Sequence, residues 1–329
     1  MNDREMHWVD DGAGWELMVR RTAPAKPSRA RPVLIVPGYG MNSFIFGFHP
    51  AERSLEATLA AQGLTVYAAD LRGQGRARAT RDVDDHYGMA ELAVDDVGAV
   101  IDFVREREGA DQVDLVGCSL GTALAFGYLA HRGSDAVGSF VSLGGLVRWV
   151  EIPTLLRVAF ASPAVVGLVK MRGTRDFARR ALPIVTRAFP RLLSLYVNPA
   201  SSDLARAEEI CETVEDPHPI INREIAEWIA RRDLVMRGVN VSAEIESMAN
   251  PLLCVVAKDD GIVPEATARD VYERIAKRSA NESRDRELLV VGGERDLPIA
   301  HADLFLSRGA ERRIFEPIAR FLLERNRLS

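Results

Sequence analysis

Cysteine is scarce in this sequence, with three residues, Cys118, Cys211 and Cys254, in a chain of 329. So few thiols, so widely scattered, exclude a disulfide framework and a thiolate zinc site. Cys118 and Cys254 lie in apolar runs and read as reduced core positions. An excess of positive charge is also missing. The 42 basic residues against 47 acidic give a formal net charge of −5, and nothing recommends a nucleic acid as partner. No repeat, low-complexity tract or long block of like charge is present, which removes solenoids and disordered tails from consideration. The opening MNDREMHWVDDGAGWELMVRR has no continuous apolar stretch, so no secretory signal is read there and a cytoplasmic location is expected. One run, IPTLLRVAFASPAVVGLVK (152–170), approaches the length of a membrane span, but Pro153, Arg157 and Pro163 interrupt it. A span needs about 20 predominantly apolar residues with few or no charges. Apolar helices over a greasy pocket are expected instead, and contact with a membrane surface is not indicated.

What the chain does have is 47% apolar residues, enough for one large core with an insertion or for two domains. VDDGAGWELMVRR reads as two short strands around a glycine-rich turn, and APAKPSRARP as a proline-punctuated connection. VLIV (33–36) is a short run of the fully buried type. SLEATLAAQG follows as a helix closed by Gly63, and LTVYAADL (64–71) as a second strand. Val94, Val97, Ile101 and Val104 recur at helical spacing within 90–107. VDLVG (113–117) and the run AVGSFVSLGG (136–145) supply two more strands. Strand and helix therefore alternate, which predicts a parallel sheet with helices on both faces. The alternation stops near residue 146 and about 100 mainly helical residues follow. It resumes with PLLCVVA (251–257), a helix over 265–276, ELLVV (287–291) and a helix over 308–326. The expected organisation is a core of 1–145 and 249–329 with a helical cap of 146–248 above the carboxyl ends of the strands.

In the middle of this pattern stands DLVGCSLGTALAF (114–126). The frame G-x-S-x-G puts a serine on a sharp strand-to-helix turn, with glycines two before and two after to let the backbone bend. Gly117 and Gly121 frame Ser119, whereas Cys118 would need glycines where Val116 and Leu120 stand. Ser119 is therefore the candidate nucleophile. A serine hydroxyl needs a base, and the base needs an orienting carboxylate, in the chain order serine, acid, histidine. Of the downstream histidines, His131 shares the helix that follows the serine and His218 lies in the expected cap. His301, after the last strand, has the right address. Asp259 and Asp260 both end the strand CVVAKDD, and local spacing does not separate them. Donors for an oxyanion are expected from the backbone N–H of Leu120 and, in the loop PGYGMNS, that of Tyr39.

Taken together these segments resemble the α/β-hydrolase superfamily over most of the chain. LIVPGYGMNS is similar to its oxyanion loop, YAADLRGQGRA to its D-x-R-G-x-G-x-S segment, LVGCSLGTALA to its nucleophile elbow, VVAKDDGIVP to its acid strand and IAHADLF to its histidine loop. The resemblance implies the α/β-hydrolase fold: a mostly parallel central sheet flanked by helices, with the cap inserted after the fourth parallel strand. It also selects Asp260, since Asp260-Gly261-Ile262-Val263-Pro264 follows the family's frame of acid, one residue, two aliphatics and proline. Asp70 and Arg72 take structural roles in such proteins. Two departures are visible: Pro37-Gly38 stands where His-Gly is common, and Ala77 where serine is usual. Segments of the first hundred residues resemble lysosomal-type lipases and polyhydroxyalkanoate synthases and depolymerases. The synthases carry cysteine at the nucleophile, and dehalogenases and epoxide hydrolases carry aspartate; Ser119 here points to hydrolysis.

The expectation is a serine hydrolase, lipase- or esterase-like, acting on a carboxylic ester or thioester with an apolar acyl group. It works through Ser119, His301 and Asp260 and needs neither metal nor cofactor. The alternative is an acyltransferase with the same triad and an acceptor other than water. A catalytically dead binding module is disfavoured by the intact set of three residues. Leu155, Leu156, Phe160, Val165, Val166, Leu192, Leu193 and Trp228 are candidates for an acyl pocket, or for the cap's own core. The arginines of MRGTRDFARR are expected to face solvent, with an anionic headgroup as the alternative.

Overall fold

The structure is a computed structural model and describes residues 4–26, 28–80, 86–168, 172–276, 285–293 and 296–326, with the side chains of Pro190 and Leu192 outside that description. Strands β1 (Arg4–Asp10) and β2 (Trp15–Thr22) form an antiparallel pair. Asp11 Oδ1 accepts the N–H groups of Ala13 and Trp15 and so closes the turn between them. Next come β3 (Val33–Val36), α1 (Leu55–Ala61), β4 (Val66–Asp70), the two-residue β5 (Arg78–Ala79), α2 (Val97–Glu108), β6 (Val113–Cys118), α3 (Leu120–Arg132) and β7 (Val137–Leu143). The expected helix over 90–107 begins as a π-helical stretch, Glu91–Asp96. There the buried Asp96 carboxylate takes the Nε–H of Arg72 at 2.8 Å. With Asp11 as a second partner of Arg72, and Asp70 accepting the N–H groups of Ser43 and Arg76, the Asp70–Arg72 segment is structural.

The sheet order is β1-β2-β4-β3-β6-β7, with β5 on the side of β2, and two further strands extend it beyond β7 in chain order. Strands β10 (Leu252–Ala257) and β11 (Arg286–Val291) resume the rhythm after the insertion. From β4 to β11 every pairing is parallel. Each residue of β3, β4, β6 and β10 is buried, as strands covered on both faces must be. Period-two alternation sends Leu34, Val36 and Leu115 into one core layer with α2 and α3, and Val33, Ile35 and Val116 into the other with α1 and the C-terminal helix. The chain order switches direction at β3, which pairs β4 on one side and β6 on the other. A crevice outside the carboxyl ends of β3 and β6 is where open α/β sheets bind ligands.

After β7, the fourth parallel strand, come α4 (Thr154–Ala159), α5 (Pro163–Val166), α6 (Thr174–Ala188), α7 (Pro190–Leu193), α8 (Ala207–Ile210) and α9 (Pro219–Arg231). The run 152–170 is thus broken into two short helices, and its residues 169–170 lie outside the described ones. Among the described residues no helix is long and apolar enough to cross a membrane. A hairpin, β8 (Val235–Met236) with β9 (Val239–Asn240), adds a small second sheet that the helical reading of this stretch did not include. Its turn, Arg237-Gly238, has φ of 44° and 81°, the positive pair that two-residue hairpin turns use. The chain closes with α10 (Val241–Glu244), α11 (Glu265–Ala276), α12 (Asp303–Leu306) and α13 (Glu316–Asn326), the last preceded by a π-helical turn.

Candidate active site

β6 ends at Cys118 and α3 starts at Leu120, so Ser119 alone makes the turn. Its φ of 53° and ψ of −121° lie where an L-residue is strained, at roughly 1–3 kcal/mol. Close packing holds it there. A Cβ added at Gly121 would sit 2.2 Å from the Val36 carbonyl oxygen, so α3 reaches the end of β3 only without a side chain at this position. The Ser119 N–H donates to Leu143 O at 3.0 Å, tying the turn to β7. Cys118 is fully buried beneath it, and that burial pushes its thiol well above the usual range.

Ser119 Oγ lies 2.9 Å from His301 Nε2, and His301 Nδ1 lies 2.6 Å from Asp260 Oδ2. The other oxygen of Asp260 accepts the N–H groups of Ile262 at 2.7 Å and Val263 at 2.8 Å, which fixes the carboxylate's rotation. Asp259 turns elsewhere: its Oδ2 accepts the N–H groups of Gly293 at 3.1 Å and Ile299 at 3.0 Å, stapling the loop after β11. His131 is bonded to Gly127 O of its own helix, and His218 stacks on Tyr87 with ring centroids 4.1 Å apart.

The two amides singled out for an oxyanion flank Ser119. A Cβ at Gly38 would come 3.0 Å from Ser119 Cβ, so the loop after β3 passes directly against the serine and carries Tyr39 with it. Neither the Tyr39 nor the Leu120 N–H has a backbone acceptor among the described residues. The Tyr39 hydroxyl donates to Asn222 Oδ1 on α9 at 2.5 Å, and burial pushes the phenol up to about 12, so it stays neutral. Its ring meets Phe160 edge-on.

Ser119 opens on a cavity of about 90 Å³. Leu156, Phe160, Trp149, Ile225, Trp228 and Ile229 make up half of the residues that line it, and among the described residues no carboxylate does. The volume is smaller than the roughly 150 Å³ that accommodates benzene in an engineered apolar cavity. The expected pocket residues divide. Leu156, Phe160 and Trp228 line the cavity, whereas Leu193 packs in the second core layer and Val166 is half-buried. Leu155 and Val165 point to solvent, because α4 and α5 meet the rest of the chain on one side only. The Leu192 side chain lies outside the described residues. Arg175 and Arg179, expected in solvent, instead meet Glu212 and Glu215 of the chain that follows α8. On the far side of Tyr39 and Leu120 a narrower polar cleft includes Glu215 and Asp216, but both carboxylates are engaged, by Arg175 and by the N–H groups of Gly173 and Thr174.

Four contacts from the middle of the insertion bear on the site and had no signal in the sequence. Leu195 O accepts the N–H of Gly261, next to Asp260, at 2.9 Å, and Tyr196 O accepts the N–H of Ala302, next to His301, at 2.7 Å. Asp303 accepts the N–H groups of Asn198 and Ala300 and the hydroxyl of Ser202, the last at 2.6 Å. One short segment thus clasps both the acid loop and the histidine loop.

Residues 31–283 match the family model described as serine aminopeptidase, S33. The match takes in Ser119 and Asp260 and stops short of His301. No curated protein matches the chain. Among solved structures, a putative lipase from Acinetobacter baumannii AYE superimposes with a TM-score of 0.61 at 14% identity, over 99% of this chain and 93% of that one. A thermophilic esterase from Thermogutta terrifontis gives 0.58 at 16% identity, over 98% and 99%. A meta-cleavage product hydrolase from Pseudomonas fluorescens IP01 gives 0.57 at 17% identity, over 98% of both. At such identities these likenesses establish the fold.

Proposed function

The chain belongs to the serine aminopeptidase S33 family of the α/β-hydrolase superfamily, and on that footing we propose that it is a serine hydrolase of carboxylic esters or thioesters with a small apolar acyl group. The observation that carries this reading is the unbroken hydrogen-bonded run Ser119–His301–Asp260 at the mouth of an apolar cavity. His301 Nε2 takes the proton of the Ser119 hydroxyl as its oxygen attacks the substrate carbonyl. Asp260 holds the Nδ1–H tautomer and stabilises the imidazolium that forms. The tetrahedral oxyanion draws on the N–H groups of Tyr39 and Leu120. His301 then gives its proton to the leaving alcohol or thiol, leaving an acyl-enzyme on Ser119. Water, deprotonated by His301, attacks that ester and releases the acid.

Ester hydrolysis suits this site better than release of an N-terminal amino acid. An α-ammonium group next to the scissile bond would need a carboxylate in the cavity, and none lines it among the described residues. In this reading residues 146–248 act as a cap, with Leu156, Phe160 and Trp228 measuring the acyl chain. A fluorophosphonate probe should label the wild type and Cys118→Ala but not Ser119→Ala. p-Nitrophenyl esters from acetate to decanoate, with a thioester and an aminoacyl p-nitroanilide alongside, should show a short-chain optimum and no anilide cleavage. Labelling of Ser119→Ala at the wild-type level, or a preference for the anilide, overturns the reading.

A further inference from the structure

Exposed apolar side chains are concentrated in one stretch of this chain. Of the 14 large ones among the described residues, ten lie between Val150 and Tyr196. The same stretch inverts the charge. Residues 151–200 carry eight basic and two acidic side chains, in a chain whose net charge is −5, which leaves −11 for the rest.

α6 shows how the two features combine. Its inner face packs Leu182 and Val185 against the core, while Phe177 is 70% and Ile184 63% exposed on the opposite side. Seven residues apart, those two form one ridge along the helix. Arg180 and Arg187 follow each of them by three residues and make a parallel basic row, with no carboxylate partner among the described residues. α4 and α5 repeat the pattern closer to the site. Leu156 and Phe160 face the cavity that holds Ser119, while Leu155, Val158 and Leu168 face outward. One helix thickness therefore separates the acyl cavity from an exposed apolar surface.

A stable free surface of this kind is unfavourable, since large exposed apolar patches on soluble chains are uncommon and mark contact sites. A helix with an apolar ridge beside a row of arginines fits the boundary of a bilayer, where the ridge enters the acyl region and the guanidinium groups meet phosphate. A second copy meeting the chain through this same face would set basic row against basic row. We infer that the outer face of α4 to α6 docks on an anionic lipid surface. Docking there places the thin wall of the acyl cavity against the lipid, where an apolar ester would be dissolved.

Co-sedimentation with vesicles tests this on the full chain. Vesicles containing phosphatidylglycerol should bind it at least about tenfold more tightly than vesicles of phosphatidylcholine alone, and added salt should weaken that binding. Three double variants, Val158→Ser with Leu168→Ser, Phe177→Ser with Ile184→Ser, and Arg180→Ala with Arg187→Ala, should each lose about tenfold in vesicle binding. Their melting temperatures and their turnover of a soluble short-chain ester should stay at the wild-type level. Ser119→Ala should bind vesicles as the wild type does, which keeps this inference separate from the hydrolase reading. No binding, equal binding to both kinds of vesicle, or binding untouched by all three double variants overturns it. So does a wild-type dimer that these variants dissociate, which would give the face to a second copy.

Discussion

In β3, β4, β6 and β10 every residue is buried, and in α4, α5 and α6 none is. Both sets contain leucine, isoleucine, valine and alanine, but α6 adds four arginines, and the apolar side chains of the helices divide between a packed and an exposed side. The strands are covered by helices on two sides, and each apolar side chain finds a partner. The helices of the insertion meet the rest of the chain along one face and keep apolar groups on the other. The difference bears on function. The hydrogen-bonded groups of the proposed triad come from the frame: Ser119 just after β6, Asp260 from the turn after β10, His301 from the loop after β11. The insertion supplies the walls of the cavity and the Leu195–Ser202 clasp, where adaptable contacts suffice.

The largest effects should fall on the frame. Ser119→Ala and Asp260→Asn are each expected to lower kcat on the order of 10⁴-fold or more, measured on the best p-nitrophenyl ester. Asp259→Asn should cost far less, because its carboxylate staples a loop and does not touch His301. Reversed losses would exchange the roles of the two aspartates.

Stability sharpens the same contrast. Leu34→Ala in β3, at 0% exposure, should cost about 2–5 kcal/mol in urea unfolding. Leu155→Ala in α4, at 52% exposure, should stay within about 0.5 kcal/mol. Equal costs would mean that the outer face of α4 is covered in the folded protein.

Asp303 lies where the two regions join. Asp303→Asn should lower kcat by about 10–100-fold with little change in KM, because His301 would sit less firmly against Ser119. The fall should appear at every acyl length. A loss confined to KM would assign Asp303 to substrate binding instead.

The smallest effect belongs to the cavity wall. Phe160→Ala removes a ring from the side of α4 that faces Ser119 and should move the acyl optimum up by one or two carbons. Each methylene newly accommodated should raise kcat/KM by about fourfold, from roughly 0.8 kcal/mol per buried CH₂. An unmoved optimum would show that the insertion does not measure the acyl chain.

The parallel strands were legible because a strand covered on both faces must be a short apolar run, and VLIV, VYAAD and LLCVVA are such runs. Ser119 was legible because its turn demands glycine at fixed offsets, a steric requirement written in adjacent residues. Asp259 and Asp260 were not separable by local spacing, since both follow β10 closely, and the family resemblance selected Asp260. Both lie in the turn after β10, and which of them meets His301 depends on where β11 and its loop lie. The hydrogen bond from Tyr39 to Asn222 joins residues 183 apart and leaves no local trace.

Leu155 and Leu156 mark the boundary most clearly. They are the same residue type, adjacent in one short helix, one exposed and the other lining the cavity. By itself the sequence determined the alternating elements of the core and the strand-to-helix turn at Ser119, because burial periodicity and glycine sterics act over a few residues. Local spacing left Asp259 and Asp260 open and the family resemblance chose Asp260; only the tertiary structure decided which side of α4 closes the cavity and which side of α6 leaves Phe177 and Ile184 exposed, because these depend on what distant segments pack against, and neighbouring residues do not carry that information.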